Sequence, residues 1–519
     1  MRLKSRLLAG AAAALALGAR VGNAQTPQLN TQIELLQQQI QQMQRQLQAL
    51  QSQVNAQAQQ QQRAAAPPAS APAAASAPGP HVTQTPGNRF GIESADGNYS
   101  IALTGRLHLD TGGYVNYHQA SHSTTPADLN SGVNARRARL GVVGKFAGDW
   151  NYTFIYDFGG SSDSFNSGVS GFSSSGIEAA YLTYNGLYHG PFPLAFDLGY
   201  QDTPFTLDEA TSSNDIMFME RASPEVIATE FGSGDNRSAV GVRSNDSRYW
   251  AGIYATGPTS GAAHNSGEPL SVFGRLTYQV LSAPDYSLHF GADIEHMFKP
   301  QVSVVGGAET FTLSDRPELR IDPTSLISAP FGTASGFGPV HGGSVYGLEA
   351  AGGYDNLFFQ SEGYNYQVDR VGLPNDEFWG GYLEGSVTLT GEHRTYIPAT
   401  GAYSGINPTH PFSLKTGGWG AFELAARVSY IDLNDNFIAT APSGGALTTN
   451  SVEGGQQTIY SLGLNWYVNP NMRFMFDYLH GTVKKTGSVA TIGAACTGAC
   501  GKETGANFDA LAMRAQVAF

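Results

Sequence analysis

Arginine placement is the first feature of this sequence that suggests chemistry. After Ser100, Arg106, His108 and Asp110 share one parity, while Ile101, Leu103, Leu107 and Leu109 share the other. Arg137, Arg139 and Lys145 oppose Leu140 and Val142 in the same way, and Arg243, Arg275, Arg427, Arg473 and Arg514 take the polar parity of their own segments. Guanidinium groups lining a water-filled passage would attract anions, replace part of their hydration with charge-assisted hydrogen bonds, and pass them between sites weak enough to release them. Acids occupy the same faces: Asp157, Asp293, Glu295, Glu349, Glu384, Glu423 and Asp477. A second expectation therefore stands beside the first, in which the arginines pair with these acids and leave a polar, weakly selective channel.

Other chemistry is sparse. There is no Gly-x-Ser-x-Gly elbow, no His-Glu-x-x-His and no Gly-rich phosphate loop ending in Lys, so neither an enzyme nor a cofactor or metal is expected. Cys496 and Cys500 are the only cysteines, and in a Gly-rich loop of an exported chain they suggest a local disulfide before a metal site. Of 519 residues, 29 are Lys or Arg and 42 Asp or Glu, a net charge of -13 that argues against nucleic acid as a partner. Charged residues make up 14%, aromatics 11%, and Gly numbers 63. An average soluble domain carries roughly 25% charge, so polar faces here must be built largely from small uncharged residues, a β-rich signature.

The elements that would position the arginines follow from periodicity. Arg2, Lys4 and Arg6 precede an apolar run from Leu7 to Ala19, with Gly22 and Ala24 at small-residue cleavage positions, so residues 1–24 are expected to be a signal peptide. Its removal takes away four cations and no acid. Leu29, Ile33, Leu36, Ile40, Met43, Leu47, Leu50 and Val54 recur at steps of four and three, predicting a periplasmic coiled coil over 25–63. The alternative is a Gln-rich, partly helical stalk. Six prolines among Ala and Ser then make 64–88 a semi-rigid linker.

From 89 to 519 period-2 segments alternate with Gly, Ser, Asn and Pro clusters. Tyr286, Leu288, Phe290, Ala292 and Ile294 oppose Ser287, His289, Gly291, Asp293 and Glu295, and the pattern persists to Val517 and Phe519. An exported chain whose strands face lipid must close them into a barrel, because no backbone group can stay unpaired in the bilayer. Sixteen strands are predicted, beginning near residues 100, 135, 150, 177, 194, 237, 248, 270, 286, 344, 356, 378, 419, 457, 471 and 506. The fold class is thus an all-β, 16-stranded antiparallel transmembrane barrel. Connections alternate long and short except at 391–418, which is long where a periplasmic turn belongs. Either that stretch folds into the lumen or the strand assignment fails there.

Several segments resemble one family. They include Arg136-Arg137-Ala138-Arg139-Leu140-Gly141-Val142, Ser212-Ser213-Asn214-Asp215-Ile216 running into Phe218-Met219-Glu220-Arg221, Leu389-Thr390-Gly391-Glu392-His393-Arg394, and Gly463-Leu464-Asn465-Trp466-Tyr467 followed by Asn469-Pro470-Asn471. In order and spacing they resemble the phosphate-selective porins of Gram-negative outer membranes, over nearly the whole barrel. The resemblance implies a homotrimer in outer-membrane lipid, inward-folded third and fifth loops, and a constriction where Arg and Lys bind phosphate or other small anions. It would place Arg221 near that constriction, with Arg136, Arg137 and Arg139 on the facing wall. It also implies an inward periplasmic segment, which nominates His393, Arg394 and Lys415.

The anion pathway expected from both lines of reasoning comprises Arg106, Arg136, Arg137, Arg139, Arg221, Arg243, Arg275 and Arg427. One departure matters: 203–236 holds Arg221 as its only cation before Arg237, among eight acids when Asp202 is included, and lacks a lysine cluster. The sequence therefore leaves open a passive anion porin, a general weakly selective porin, and a plugged structural or adhesive barrel. The coiled coil could tether the barrel to peptidoglycan.

Overall fold

The computed structural model describes residues 80–85, 89–123, 125–159, 176–188, 190–258, 269–283, 285–300, 303–305, 308–332, 337–435, 451–487 and 502–519. The expected signal peptide, coiled coil, most of the linker, and Cys496 and Cys500 lie outside these residues.

Two short strands, β1 (His81–Thr85) and β2 (Arg89–Glu93), pair as a hairpin, so strand structure begins inside the stretch expected to be linker. Val82, Phe90 and Ile92 keep a period-2 apolar pattern across Pro86 and Gly87. Sixteen longer strands then form the barrel. The first eight are β3 (Ser100–Gln119), β4 (Gly132–Phe146), β5 (Trp150–Asp157), β6 (Gly176–Tyr188), β7 (Leu194–Asp202), β8 (Asn236–Asn245), β9 (Tyr249–Thr256) and β10 (Leu270–Ser282). After β11 (Tyr286–Lys299) comes a small three-stranded sheet of β12 (Ser303–Val305), β13 (Ala308–Asp315) and β14 (Ile327–Gly332). The wall resumes with β15 (Val340–Tyr354), β16 (Leu357–Arg370) and β17 (Asp376–Thr388). Two-residue strands β18 (Tyr396–Ile397) and β19 (Ala402–Tyr403) follow, then β20 (Ala421–Asp435), β21 (Val452–Asn469), β22 (Met472–Lys484) and β23 (Ala506–Ala518).

Each barrel strand pairs antiparallel with its successor, and β23 closes on β3 with Ala518 opposite Arg106. Phe519 completes the seam: its N–H donates to the Gly105 carbonyl and its carbonyl accepts from Gly105, both at 2.9 Å. The sixteen strands coincide with the sixteen read from alternation. Alternation also assigns the faces correctly, since Phe290 and Ile294 are exposed while His289, Asp293 and Glu295 are buried. Aromatic side chains gather beside the short turns, where Phe146 stacks on Trp150 and Phe422 on Trp466, as expected of a girdle at the periplasmic interface. The turn after β4 needs left-handed backbone at Ala147 and Gly148, with φ of 49° and 76°, the form that joins twisted strands most tightly.

Some strands run well beyond the bilayer. β3 alone has 20 residues, about 65 Å at ~3.3 Å per residue, against roughly 30 Å of hydrocarbon. The first outer connection shrinks accordingly to 120–131.

Among the described residues, three connections turn inward. The third outer connection, 203–235, carries α1 (Leu207–Ala210), which Thr206 caps by accepting from the Glu209 N–H, and α2 (Ser223–Glu230). Its Phe205, Met219, Ile227 and Phe231 pack with Phe311, Leu313 and Phe331 of the β12–β14 sheet and with wall residues such as Phe273 and Tyr366. Phe231 meets Phe311 edge-on at 5.8 Å. Apolar side chains in an outer connection have nowhere else to be buried, which is the physical reason for the insertion. The 389–420 stretch is the third: Tyr403 reaches Ser287 at 3.1 Å and meets Phe358 edge-on at 4.9 Å, inside the wall.

Candidate functional site: a lumen of paired charges

Nearly every lumen arginine has an acid. Arg139 donates to Asp157 at 2.8 Å and Glu178 at 2.5 Å, and Arg243 to Asp197 at 2.9 Å. Arg514 bridges Asp110 at 2.7 Å and Glu220 at 2.8 Å. Strand register sets the pairs between neighbouring strands, as Arg139 lies opposite Asp157, Arg514 opposite Asp110 and Arg275 opposite Asp293.

The remaining pairs fasten the inserted segments to the wall. Glu220 accepts from Arg136 Nε at 2.9 Å and Nη2 at 3.1 Å, while its main-chain carbonyl accepts from Arg427 at 2.9 Å. Arg427 also reaches Glu318 of the fifth outer connection at 2.6 Å. Asp477 accepts from the Met219 N–H at 2.8 Å, and Arg473 donates to the Ile216 carbonyl at 2.8 Å. Arg275 binds Glu349 and donates to the Thr400 and Gly401 carbonyls at 2.9 and 2.8 Å. Arg394 grips both oxygens of Glu423 and the Asp215 carbonyl.

Charge within the third outer connection follows from these neighbours. Burial would raise the Glu220 carboxyl, but Arg136, Arg514, Arg137 and Arg320 together hold it well below the usual carboxylate range. Burial does raise Glu225, against Arg221 and with help from Glu209 and Asp208. Burial opposes the Arg221 charge too, yet Glu209, Glu225 and Asp208 more than offset it.

The structure redistributes the eight arginines expected on one pathway. Arg275 and Arg427 are 2% and 5% exposed and engaged as clamps, Arg427 leaving only Nε without a partner, so they do not form a solute-facing ladder; their partners include loop carbonyls and acids that parity cannot reveal. Arg221 lies in the inserted connection but turns to Glu209 at 3.1 Å, away from the Glu220 that Arg136 binds. Arg136 and Arg137 both face inward, which strict alternation forbids. A β-bulge permits it: His108 pairs with Arg137 and Leu109 with Ala135, leaving Arg136 without an opposite residue. Of the three residues nominated for an inward periplasmic segment, Arg394 alone reaches the interior. His393 is exposed beside the turn residues Ser247, Asp285 and Asp355, and Lys415 is exposed in the turn between Ser413 and Gly418.

Two guanidinium groups stand apart. Arg106 meets the Ser213 and Ser212 hydroxyls and no acid among the described residues. Arg137 is only 4% exposed, makes no ion pair among the described residues, and has Nε and Nη1 without hydrogen-bond partners. It lines a small cavity of about 20 Å³ shared with Arg136, Arg221 and Arg320 and with the acids Glu209, Glu220, Glu225, Glu230 and Asp235. A second cavity contains Glu209 as well and extends past Asp197, Arg243, Trp250 and Tyr254 along the β6–β9 side of the lumen.

Residues 101–519 match the family model described as phosphate-selective porin O and P. The chain belongs to this family. It is therefore an outer-membrane porin, a channel rather than an enzyme. This porin is 22% identical over 410 residues to Porin O of Pseudomonas aeruginosa, covering 76% of this chain and 85% of that one. An uncharacterized protein of Caulobacter vibrioides is 27% identical over 397 residues, 74% of this chain and 68% of its own. The solved anion-selective porin from Comamonas acidovorans aligns over 81% of this chain and 100% of its own, at 13% identity and a TM-score of 0.47.

Proposed function

We propose that this porin passes small anions, inorganic phosphate among them, by passive diffusion, with a preference concentrated at Arg137 and Arg106 rather than spread along an arginine ladder. The observation that supports this reading is the Arg137 guanidinium, buried beside a cavity with two nitrogens unsatisfied. A buried donor with no acceptor is costly unless a ligand supplies one, and an oxyanion is the ligand it suits. The family description agrees with that chemistry.

A second reading, a general and weakly selective porin, draws on the extensive pairing of the other arginines. The two readings separate in a planar bilayer. Under a KCl gradient the anion reading expects a zero-current potential of anion sign and a conductance reduced by added phosphate. A near-zero or cation-sign potential, unaffected by phosphate, would favour the general porin.

The assembly reading goes with this: three copies in the outer membrane, each with residues 25–63 as a periplasmic coiled coil that assists assembly or holds the barrel near peptidoglycan, after loss of residues 1–24. The heptad pattern supports the helix, and the Ala/Pro stretch after it supports a tether.

A further inference from the structure

A second charge cluster lies on the β11, β15 and β16 wall and takes no part in the reading above. One carboxylate oxygen each from Asp293, Glu349 and Glu362 lies within 4.8 Å of the other two. All three residues are at most 4% exposed. The ladder forces them together, because Glu349 sits directly opposite Glu362, an arrangement of like charges that destabilises a sheet unless something neutralises it.

The protein supplies only part of that neutralisation. Arg275 contacts Glu349 at 3.1 Å and stands 3.8 Å from Asp293. Glu362 accepts from the Leu207 and Asp208 N–H groups and from the Tyr382 hydroxyl, and Glu349 is in contact with His289 Nε2 at 2.9 Å. Asp293, by contrast, has no hydrogen-bond donor on either oxygen. Three carboxylates against one guanidinium leave a formal excess of two negative charges.

Space is provided as well as charge. Asp293 lies opposite Gly347, and Glu349 opposite Gly291. A Cβ on Gly347 would come 2.2 Å from Asp293 Oδ2, and one on Gly291 would come 2.0 Å from Glu349 Oε1. The two glycines leave room for the carboxylates to converge.

We propose that Asp293, Glu349 and Glu362 form a divalent-cation site suited to calcium. The donors are hard oxygens, and a cation of charge two cancels the excess. Calcium binds oxygens at about 2.3–2.6 Å, so ligands on opposite sides stand roughly 5 Å apart, whereas magnesium at about 2.0–2.1 Å draws them to roughly 4 Å. Oxygens within 4.8 Å of one another can span either ion, but magnesium sheds its waters reluctantly, so a buried site of this kind favours calcium. Since Glu362 also holds the N–H groups that begin α1, and Arg275 holds the 400–401 carbonyls, the cation would tie two inserted segments to the wall.

The test uses full-length protein refolded in detergent free of lipopolysaccharide, stripped with EDTA, then titrated calorimetrically with calcium or magnesium chloride alongside a thermal scan. One calcium per chain is expected, with a rise in the unfolding midpoint and weaker binding of magnesium. Asp293→Asn should weaken calcium binding at least about tenfold, whereas Asp509→Asn, at a partly exposed acid elsewhere, should not. Should Asp293→Asn fail to fold, Gly347→Ala displaces the same carboxylate without changing charge and should also lose calcium. Wild type with no bound calcium and no shift, its carboxylates holding protons instead, would overturn the proposal, as would a folded Asp293→Asn or Gly347→Ala variant with undiminished affinity.

Discussion

Replacing Glu220 by Gln tests whether paired charge holds the third outer connection against the wall. Its carboxylate accepts from Arg136 and Arg514, with Arg320 3.9 Å away. Glutamine keeps one acceptor oxygen but turns an amide N–H₂ toward guanidinium donors. Breaking a buried pair from one side costs about 3–5 kcal/mol, and the retained oxygen places this variant near the lower limit. A loss of about 3 kcal/mol shifts the local equilibrium toward a loosened 216–221 segment by roughly 150-fold. Asp477, Arg473 and Glu362 still hold its neighbours, so the loosening stays local. The variant also leaves one more uncompensated positive charge beside Arg137. Single-channel recordings should show more open-channel noise, and the anion-to-cation permeability ratio should rise while heat-modifiability on gels persists. Unchanged noise together with an unchanged ratio would refute the clamp.

Acid should imitate that variant. Because the folded Glu220 carboxyl is depressed by its arginines, its stabilisation is complete above the unfolded value of about 4.3 and is lost as pH falls through the lower folded value. Noise should therefore appear only below about pH 4 in wild type, and at every pH in Glu220→Gln. Arg394→Ala removes the link between Glu423 and the Asp215 and Ser404 carbonyls, so the 389–420 segment should become cleavable from the periplasmic side, which limited proteolysis would detect. Deleting residues 25–63 should leave single-channel conductance intact if the coiled coil only tethers; loss of trimers on native gels would assign it the oligomer interface.

The barrel was legible because lipid on one side and water on the other impose a period of two on every strand, as at Phe290 and Asp293. The position of 389–420 was legible as an exception to alternating connection lengths. What alternation could not show was the bulge at Arg136, since one extra residue shifts facing without altering composition. Nor could it show that Arg275 and Arg427 are consumed by Thr400, Gly401 and Glu220 carbonyls, because loop backbone partners carry no residue-type signal. The inward fold of the fifth connection did leave a trace in Phe311, Leu319, Leu326 and Phe331, a density of large apolar side chains unsuited to an exposed loop. The hairpin at 81–93 left a similar trace in Val82, Phe90 and Ile92.

On the proposed reading, pairing silences most lumen arginines and leaves Arg137 to act on solute. The most direct measurement compares zero-current potentials of Arg137→Gln and Arg139→Gln under one KCl gradient. A free guanidinium about 5 Å from an anion contributes roughly 0.8 kcal/mol in a water-like medium and roughly 3 kcal/mol at an effective dielectric of 20. Arg137→Gln should thus lower the anion-to-cation permeability ratio about fourfold or more. Arg139→Gln removes one positive charge as well, but its nitrogens are already donated to Asp157 and Glu178 and offer no direct hydrogen bond to solute, so it should lower the ratio less. Equal effects, or a loss confined to Arg139→Gln, would contradict the account.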